Sequence, residues 1–566
     1  MKQPDSAPPI HRYLIVLASI FIFTATMMSF VNSVHAEFVN WDDDVYVVNN
    51  PLVQTLSADN IESMFTQSHY YAWIPLTLLS HAADFAIWQW NAKGHHLTNV
   101  VLHAANATLL FLVCLLLFDA SQTADDVRPL FYRLAPSIVV GSAIGAMLFA
   151  MHPQRVESVA WVSGRKDLLC AFFLIPSVGA YVRWRMSGLG RWRRISVALF
   201  ALALMAKPAA APLPLVLLAV DVWLSRNESL RRLSLRETLV KKAPYFALSI
   251  IVGVITMLAA SGGTVNVLVE LNWIERILLP LYALCFYVWK LIVPLDLIPI
   301  YPELERWLLY VSPLAIGATA YGCFVLWKKQ RRGVVSALLC YALMVLPTML
   351  GLRTGMQPLA DRYSYLSTLS LFVLTGGFIE WLWRKSAISR GKLFQREMFA
   401  VLLLAICAVS SYRTIRHTGV WKNSIEVWTQ VLRYAPKTKE EHDTRKPYMK
   451  PTFLDARINL GGAYYTAGNK DKAWENFSAV LTLDSCNADA HYNLGVLLVE
   501  EGDGANAERA FTNAIACDPS YAKAFHNLGV LSATRDSIKS LTLFRTAARL
   551  GFSDSQVLLR KRGVPW

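Results

Sequence analysis

The stretch YLIVLASIFIFTATMMSFVNSVHAEFVNWDDD, residues 13–44, decides how the rest of the chain reads. Tyr13 to Val34 is apolar and long enough to cross a bilayer. Three aspartates, Asp42, Asp43 and Asp44, follow shortly after it. Carboxylates beside a membrane face are costly to desolvate, so a cluster there points to a function more than to a chance acidic loop. Lys2, Arg12 and the small-residue stretch Val34-His35-Ala36 have the form of a signal peptide. The apolar run is longer than a usual signal core, which favours a retained anchor with Asp42 at its far end.

Composition extends that reading to most of the chain. Of 566 residues, 54% are apolar and 17% charged, so a large membrane domain with a smaller soluble one is expected. The net charge of +15 sits mainly in short loops between apolar segments, as the positive-inside rule describes, and this argues against nucleic acid as a partner. Six cysteines (114, 170, 285, 323, 340 and 407) lie in apolar segments and act as small hydrophobes. Cys486 and Cys517 lie in the polar tail, where their spacing neither requires nor forbids a pair.

Further apolar segments fall near 97–118, 134–151, 168–184, 195–206, 208–224, 243–260, 276–294, 307–327, 334–350, 364–383 and 397–411. The loops 183–194, 226–242, 328–332 and 384–396 together hold 20 Lys and Arg, so they belong on the cytoplasmic side. An even number of crossings must separate 226–242 from 328–332, yet three apolar segments lie between. The segment 276–294 runs into the Pro-containing LIVPLDLIPIYPELE and is expected to be re-entrant or interfacial. That leaves about eleven spans, with the first outer loop at 33–96 and helices around 58–68 and 75–88 lying along the outer leaflet.

The tail is a repeat array. Asn-Leu-Gly recurs at 459–461, 493–495 and 527–529, with Ala473, Phe477, Ala507, Phe511, Ala514 and Pro519 downstream. A period of 34 with small residues at helix contacts is the tetratricopeptide pattern. The repeats are placed at about 454–487, 488–521 and 522–554, after a half-repeat at 421–436 and a charged linker at 437–451. The whole chain therefore reads as all-α: a membrane domain over 1–412 and an α-solenoid over 413–566. The solenoid's concave face suits an extended peptide, and stabilising or oligomerising the protein is an equal alternative.

Positive charge on the outer side runs against the charge bias. The exceptions are Arg155, Arg165, Lys166, Lys207, Arg353 and Arg362, which share a compartment with the aspartates. Arg and Lys at an outer membrane surface suit a lipid phosphate. Acids beside such a cluster suggest transfer of a sugar from a polyprenyl phosphate. The phosphate leaves, cations take its charge, and a carboxylate takes the acceptor's proton. Neighbouring carboxylates such as Asp42 and Asp43 could also bind a divalent cation, Mg or Mn. Adjacent residues cannot all face one way, so at most two of the three aspartates are expected at the substrate.

FVNWDDDVYVVNNP (38–51), WIPLTLLSHAADFAIW (73–88), GHHLTNVVLHAANATLLF (94–111), HPQRVESVAWVSGRKDLL (152–169), ALMAKPAAAPLP (203–214) and PLADRYSYL (358–366) occur in that order ahead of the repeats. This ordered set resembles the transmembrane and tetratricopeptide-repeat family of protein O-mannosyltransferases and its prokaryotic relatives, within the GT-C membrane glycosyltransferase fold. The resemblance implies a polyprenyl- or dolichyl-phosphate-linked donor and an acidic catalytic residue in the first outer loop. By that match Asp42 is the base, and Asp43 its partner or a metal ligand, with Asp44 one beyond. Arg165, Lys166 and Arg362 fall on the motifs' basic positions and are assigned, with Lys207, to the donor phosphate. Tyr363 and Tyr365 would line the sugar or lipid groove. His96 and His152 would bond donor or phosphate, or serve structure, and Glu157 would orient a basic group; Arg353 completes the set.

The expected function is inverting transfer of a monosaccharide, mannose by resemblance, to a hydroxyl, with protein Ser/Thr the favoured acceptor. A bacterial chain would place this in the inner membrane with periplasmic repeats, and a eukaryotic one in the endoplasmic reticulum with luminal repeats. The rival reading is a lipid-linked-sugar flippase or a membrane scaffold with the repeats as docking platform.

Overall fold

The computed structural model describes residues 10–70, 72–120, 134–225, 234–260, 272–301, 306–349, 357, 359–387, 393–435 and 450–566. Arg353, the linker 437–451 except its last two residues, and most of the loops 261–275 and 351–363 lie outside them, as do parts of the loops 226–242, 295–306 and 384–396. The described structure is helical, apart from one β-bridge between His69 and Ala72. It forms two compact units, Met1–Asn423 and Ser424–Trp566. The boundary lies beyond the expected residue 412. The helix Leu393–His417 runs unbroken past that point, and Trp421 stacks within the first unit on Trp161.

Among the described residues of the first unit, five helices are long and apolar enough to cross a membrane: Ala92–Ala120, Val162–Ser187, Arg236–Ala259, Trp307–Lys328 and Met398–Trp421. Two bent pairs, Pro136–Ala150 with Pro153–Ala160 and Asp361–Ser367 with Leu369–Lys385, raise this to seven if each is one span. Three shorter apolar helices are Tyr13–Ser29, Pro208–Leu224 and Arg332–Val345. By length and composition the described residues thus hold five to seven such helices, beside the eleven spans expected for the whole chain. Trp273–Ile292 is a 20-residue helix, but it carries Glu275, Arg276 and Lys290 and is not among the candidates. The first outer loop holds the two expected helices, Ala58–Thr66, capped by Ser57, and Pro75–Trp88, with Pro in its first turn.

The bent pairs position the candidate site. Gly141 and Gly145, four apart on Pro136–Ala150, face Gly376 on Leu369–Ala387. A Cβ added at Gly141 would lie 2.5 Å from the Gly376 carbonyl oxygen, so the two backbones touch, as small residues at this spacing allow in membranes. This contact brings the segment after residue 150 beside Asp361–Tyr363. Its irregular backbone must find internal donors if it sits at membrane depth. One face of Ala92–Ala120 supplies them. Asn99 donates to the Trp161 carbonyl (2.8 Å), His103 to Ala150 (2.9 Å) and Asn106 to Leu168 (2.9 Å).

The second unit is an array of helix pairs: Lys450–Thr466 with Lys470–Leu483, Ala488–Glu500 with Gly504–Cys517, and Ala522–Ser532 with Ser537–Arg549. Ser424–Leu432 precedes them and Ser553–Lys561 follows. Gly461, Gly495 and Gly529 receive the rings of Phe477, Phe511 and Phe544. The first two turns use Gly468 and Gly502 at φ +78° and +80°. The third turn, Thr534 to Asp536, is one residue shorter, and Phe544 arrives correspondingly early. Cys486 and Cys517 form a disulfide across the second repeat; the six membrane-unit cysteines are free.

Candidate active site

The acid loop is held at helix ends by aromatic stacking. Trp41 stacks on Trp161 at 4.9 Å between ring centroids, and Trp161 on Trp421 at 5.5 Å. The Glu37 amide donates to the Lys422 carbonyl at 2.8 Å.

The three aspartates separate by role. Asp43 has no exposed surface. One carboxylate oxygen accepts from the Ser163 amide (2.9 Å) and hydroxyl (2.6 Å), and the other from the Val39 amide (3.0 Å). Burial pushes its pKa up to about 7 against the pull of these donors. Asp42 points outward. Its side chain is 34% exposed, and it accepts from Lys166 Nζ at 3.1 Å. Asp44 is half-buried, and burial raises its pKa.

Beyond Asp42, cations alternate with aromatic rings. Lys166 Nζ lies 5.0 Å from the Tyr46 ring and 5.6 Å from Trp161. Arg362 lies 5.5 Å from Trp161 and 5.0 Å from Tyr363, and Lys207 Nζ 5.9 Å from Tyr363. Each cation also has a carboxylate. Glu157 accepts from the Arg362 guanidinium and from its amide at 2.8 Å, and Asp167 pairs with Lys207 at 2.5 Å. Asp42 and Arg362 are within electrostatic reach of one another. Lys166, Lys207 and Arg362 keep a small exposed fraction, enough to meet a ligand from the outside.

Several expected residues are committed elsewhere. Arg165 is fully buried, and its guanidinium donates to Asn99, Ser80 (3.0 Å), Asp84 (2.6 Å) and the His95 carbonyl (2.8 Å), leaving it no face for a phosphate. Tyr365 is buried against His103 (2.7 Å) and Asn106 (3.2 Å), so it lines no groove. His152 bonds the Leu291 carbonyl at 2.9 Å and accepts from the Gln154 amide at 3.2 Å. His96 is buried against the Glu37 carbonyl at 3.3 Å. Arg155 is likewise an internal tie, to Ser364 and Gln154. In each case burial and the exchange of partners separate neighbours such as Arg165 and Lys166, which sequence treats alike.

Asp167 was expected as an ion-pair partner for the outer cations, and it pairs with Lys207. Trp161, Tyr46 and Ser163 were not singled out in the sequence. They lie inside the quoted motifs at 38–51 and 152–169, but only the folded contacts show what they hold. A divalent cation at Asp42 and Asp43 would find the Asp43 carboxylate already occupied by Ser163 and Val39. Among the described residues no group of three or more His, Cys, Asp or Glu could hold a metal. The donor set therefore does not fit the divalent cation entertained for Asp42 and Asp43.

Fold and site define a class: a many-helix membrane unit with an acid–cation cluster at its helix ends, followed by a helical-repeat unit. No family model matches the chain. Parts of it are similar to protein O-mannosyl-transferase TMTC4 of Homo sapiens, 31% identical over 206 residues, or 34% of this chain and 27% of that protein. Protein O-mannosyl-transferase Tmtc1 of Drosophila melanogaster is 30% identical over 192 residues, 32% of this chain and 20% of that one. Protein O-mannosyl-transferase F38B6.6 of Caenorhabditis elegans is 25% identical over 182 residues, 31% of this chain and 23% of that one. The chain thus spans about a quarter of the length of these curated relatives. Among solved structures, the crystal structure of MamA aligns to 25% of this chain and 96% of its own at 20% identity, with a TM-score of 0.18.

Proposed function

We propose that the protein is a membrane glycosyltransferase that moves a monosaccharide from a polyprenyl phosphate to a protein hydroxyl at the Asp42 cluster. The arrangement of Asp42 carries this reading: an exposed carboxylate held 3.1 Å from Lys166, with Arg362 and Lys207 beyond it. The acceptor oxygen attacks the anomeric carbon and passes its proton to the Asp42 carboxylate. The anomeric C–O bond to phosphate breaks, and the leaving phosphate takes the electron pair. Lys166, Arg362 and Lys207 stabilise the charge that develops on it. Glu157 fixes the direction of Arg362. Displacement from the face opposite the phosphate inverts the anomeric centre. Mannose as the sugar follows from the relatives' names.

The Cys486–Cys517 disulfide supports an oxidising compartment for the repeats, periplasm or endoplasmic reticulum lumen, since structural disulfides persist there. The acid cluster would share that side, with the basic loops opposite. The repeats would hold the acceptor protein along their concave face.

The test is sugar transfer by purified protein in lipid, with labelled polyprenyl-phosphate-mannose and a pool of proteins from the oxidising compartment. Transfer that Asp42→Asn abolishes supports the enzyme. No transfer by wild type across several donors and acceptor classes would favour a flippase or scaffold.

A further inference from the structure

A second feature lies away from the Asp42 cluster. A cavity of about 860 Å³ runs between five helices of the membrane unit: Ala92–Ala120, Arg165–Ser187, Leu213–Leu224, Arg332–Met349 and Leu369–Ala387. Its walls are aliphatic, including Val113, Leu117, Ile175, Val220, Met344 and Leu374. One end reaches Leu366, close in sequence to Arg362. The other opens at Arg331 and Arg384, both exposed, between Trp223 and Trp381. Leu369 to Arg384 spans about 22 Å of helix, so this mouth lies that far along the helix from the Leu366 end.

Two observations point to an occupant. First, the Ser336 hydroxyl lines the cavity, is buried, and lacks a hydrogen-bond partner among the described residues. Ser336 is 97% buried, and an unmet hydroxyl of this kind costs free energy unless a ligand atom meets it. Second, the mouth is cationic. Glu380 is its one acid among the described lining residues, and it is shared between Ser137 at 3.3 Å and Arg384 at 3.6 Å. Trp223 and Trp381 are the amphipathic residues that favour a membrane interface.

We infer that this cavity binds an anionic phospholipid of the leaflet facing Arg331 and Arg384. The headgroup phosphate sits between the two arginines, and one acyl chain fills the slot toward Leu366. The ester oxygens at the top of the chain are the lipid's own acceptors for the Ser336 hydroxyl, about one turn and a half of helix in from Arg331. The site is separate from the donor-phosphate site, and its occupancy would brace the helices that carry Lys166 and Arg362.

The test is thermal unfolding of the full-length protein in detergent, titrated with phosphatidylglycerol or with phosphatidylcholine of the same chains. Phosphatidylglycerol should raise the midpoint and phosphatidylcholine should not. Arg331→Gln with Arg384→Gln alters exposed side chains only and should weaken the phosphatidylglycerol effect roughly thirtyfold, at about 1 kcal/mol per arginine. Ala337→Phe, which fills the slot, should remove it. Equal shifts with the two lipids, or a shift that survives both variants, would overturn the inference. Polyprenyl phosphate is the informative third arm. If it stabilises wild type and the arginine variant equally but fails on Ala337→Phe, the slot belongs to a donor tail entering from the Asp42 side, and the phospholipid reading falls.

Discussion

Replacing each of two adjacent aspartates by asparagine separates the chemical from the structural role. Asp42→Asn removes the proposed base while keeping shape. Loss of a positioned base slows transfer by about 100-fold to 10,000-fold. Stability should change by at most about 1 kcal/mol, because the Asp42–Lys166 pair is one-third exposed on the acid's side and therefore screened. Asp43→Asn works differently. The amide keeps an oxygen for Ser163 but sets an N–H against the Val39 N–H, so a buried donor is left unmet at a cost of about 1–3 kcal/mol. Felt in full in the transition state, that would slow transfer by about 5-fold to 160-fold, short of most of the range expected for Asp42→Asn. The assay is initial-rate transfer from labelled polyprenyl-phosphate-mannose at saturating donor, alongside a melting curve for each variant. If Asp43→Asn lost more activity than Asp42→Asn while melting like wild type, the buried carboxylate would have to reach the reacting atoms and the assignment would be wrong.

Other consequences are open to measurement. Burial holds the Asp43 pKa near 7 against 3.8 for an ordinary aspartate, so the folded state binds the proton more tightly than the unfolded state. Wild-type stability relative to Asp43→Asn should therefore fall as pH rises from about 4 to about 7, by about 1.4 kcal/mol per pH unit, and level off above. Calorimetry of both proteins across that range checks the sign. In the repeats, an alanine Cβ would lie 2.5 Å from the Phe477 ring at Gly461, 2.7 Å from Phe511 at Gly495 and 3.1 Å from Phe544 at Gly529. Each Gly→Ala change gains about 1 kcal/mol in helix propensity, while overpacking costs about 1–3 kcal/mol. Gly461→Ala should destabilise most and Gly529→Ala least, read by hydrogen exchange of the partner helices. Reducing Cys486–Cys517, which closes a separation of 31 residues, should destabilise the second unit by roughly 3–4 kcal/mol, seen as earlier proteolysis in dithiothreitol.

Much of the architecture was legible because membranes and repeats write periodic patterns. Runs of span length and the 34-residue recurrence of Asn-Leu-Gly depend only on local composition and spacing. The span count was less so. Pro153 and Thr368 mark bends where helices break, and a bend inside an apolar run leaves little trace in hydropathy. The Cys486–Cys517 pair remained open in the sequence because pairing depends on the distance between two helices.

The sequence by itself determined that this is a membrane chain with a tetratricopeptide tail, and that acids and cations gather in the motifs between its apolar segments. Tertiary structure alone decided which of them are buried and which keep some exposure. Asp42 and Asp43, or Arg165 and Lys166, are chemically near-identical neighbours. One of each pair is turned into the protein, where Ser163 or Asp84 satisfies its polar atoms. The other keeps part of its surface exposed, Asp42 and Lys166 meeting each other at 3.1 Å. Burial and partner exchange are properties of the packed whole, and no local pattern encodes them.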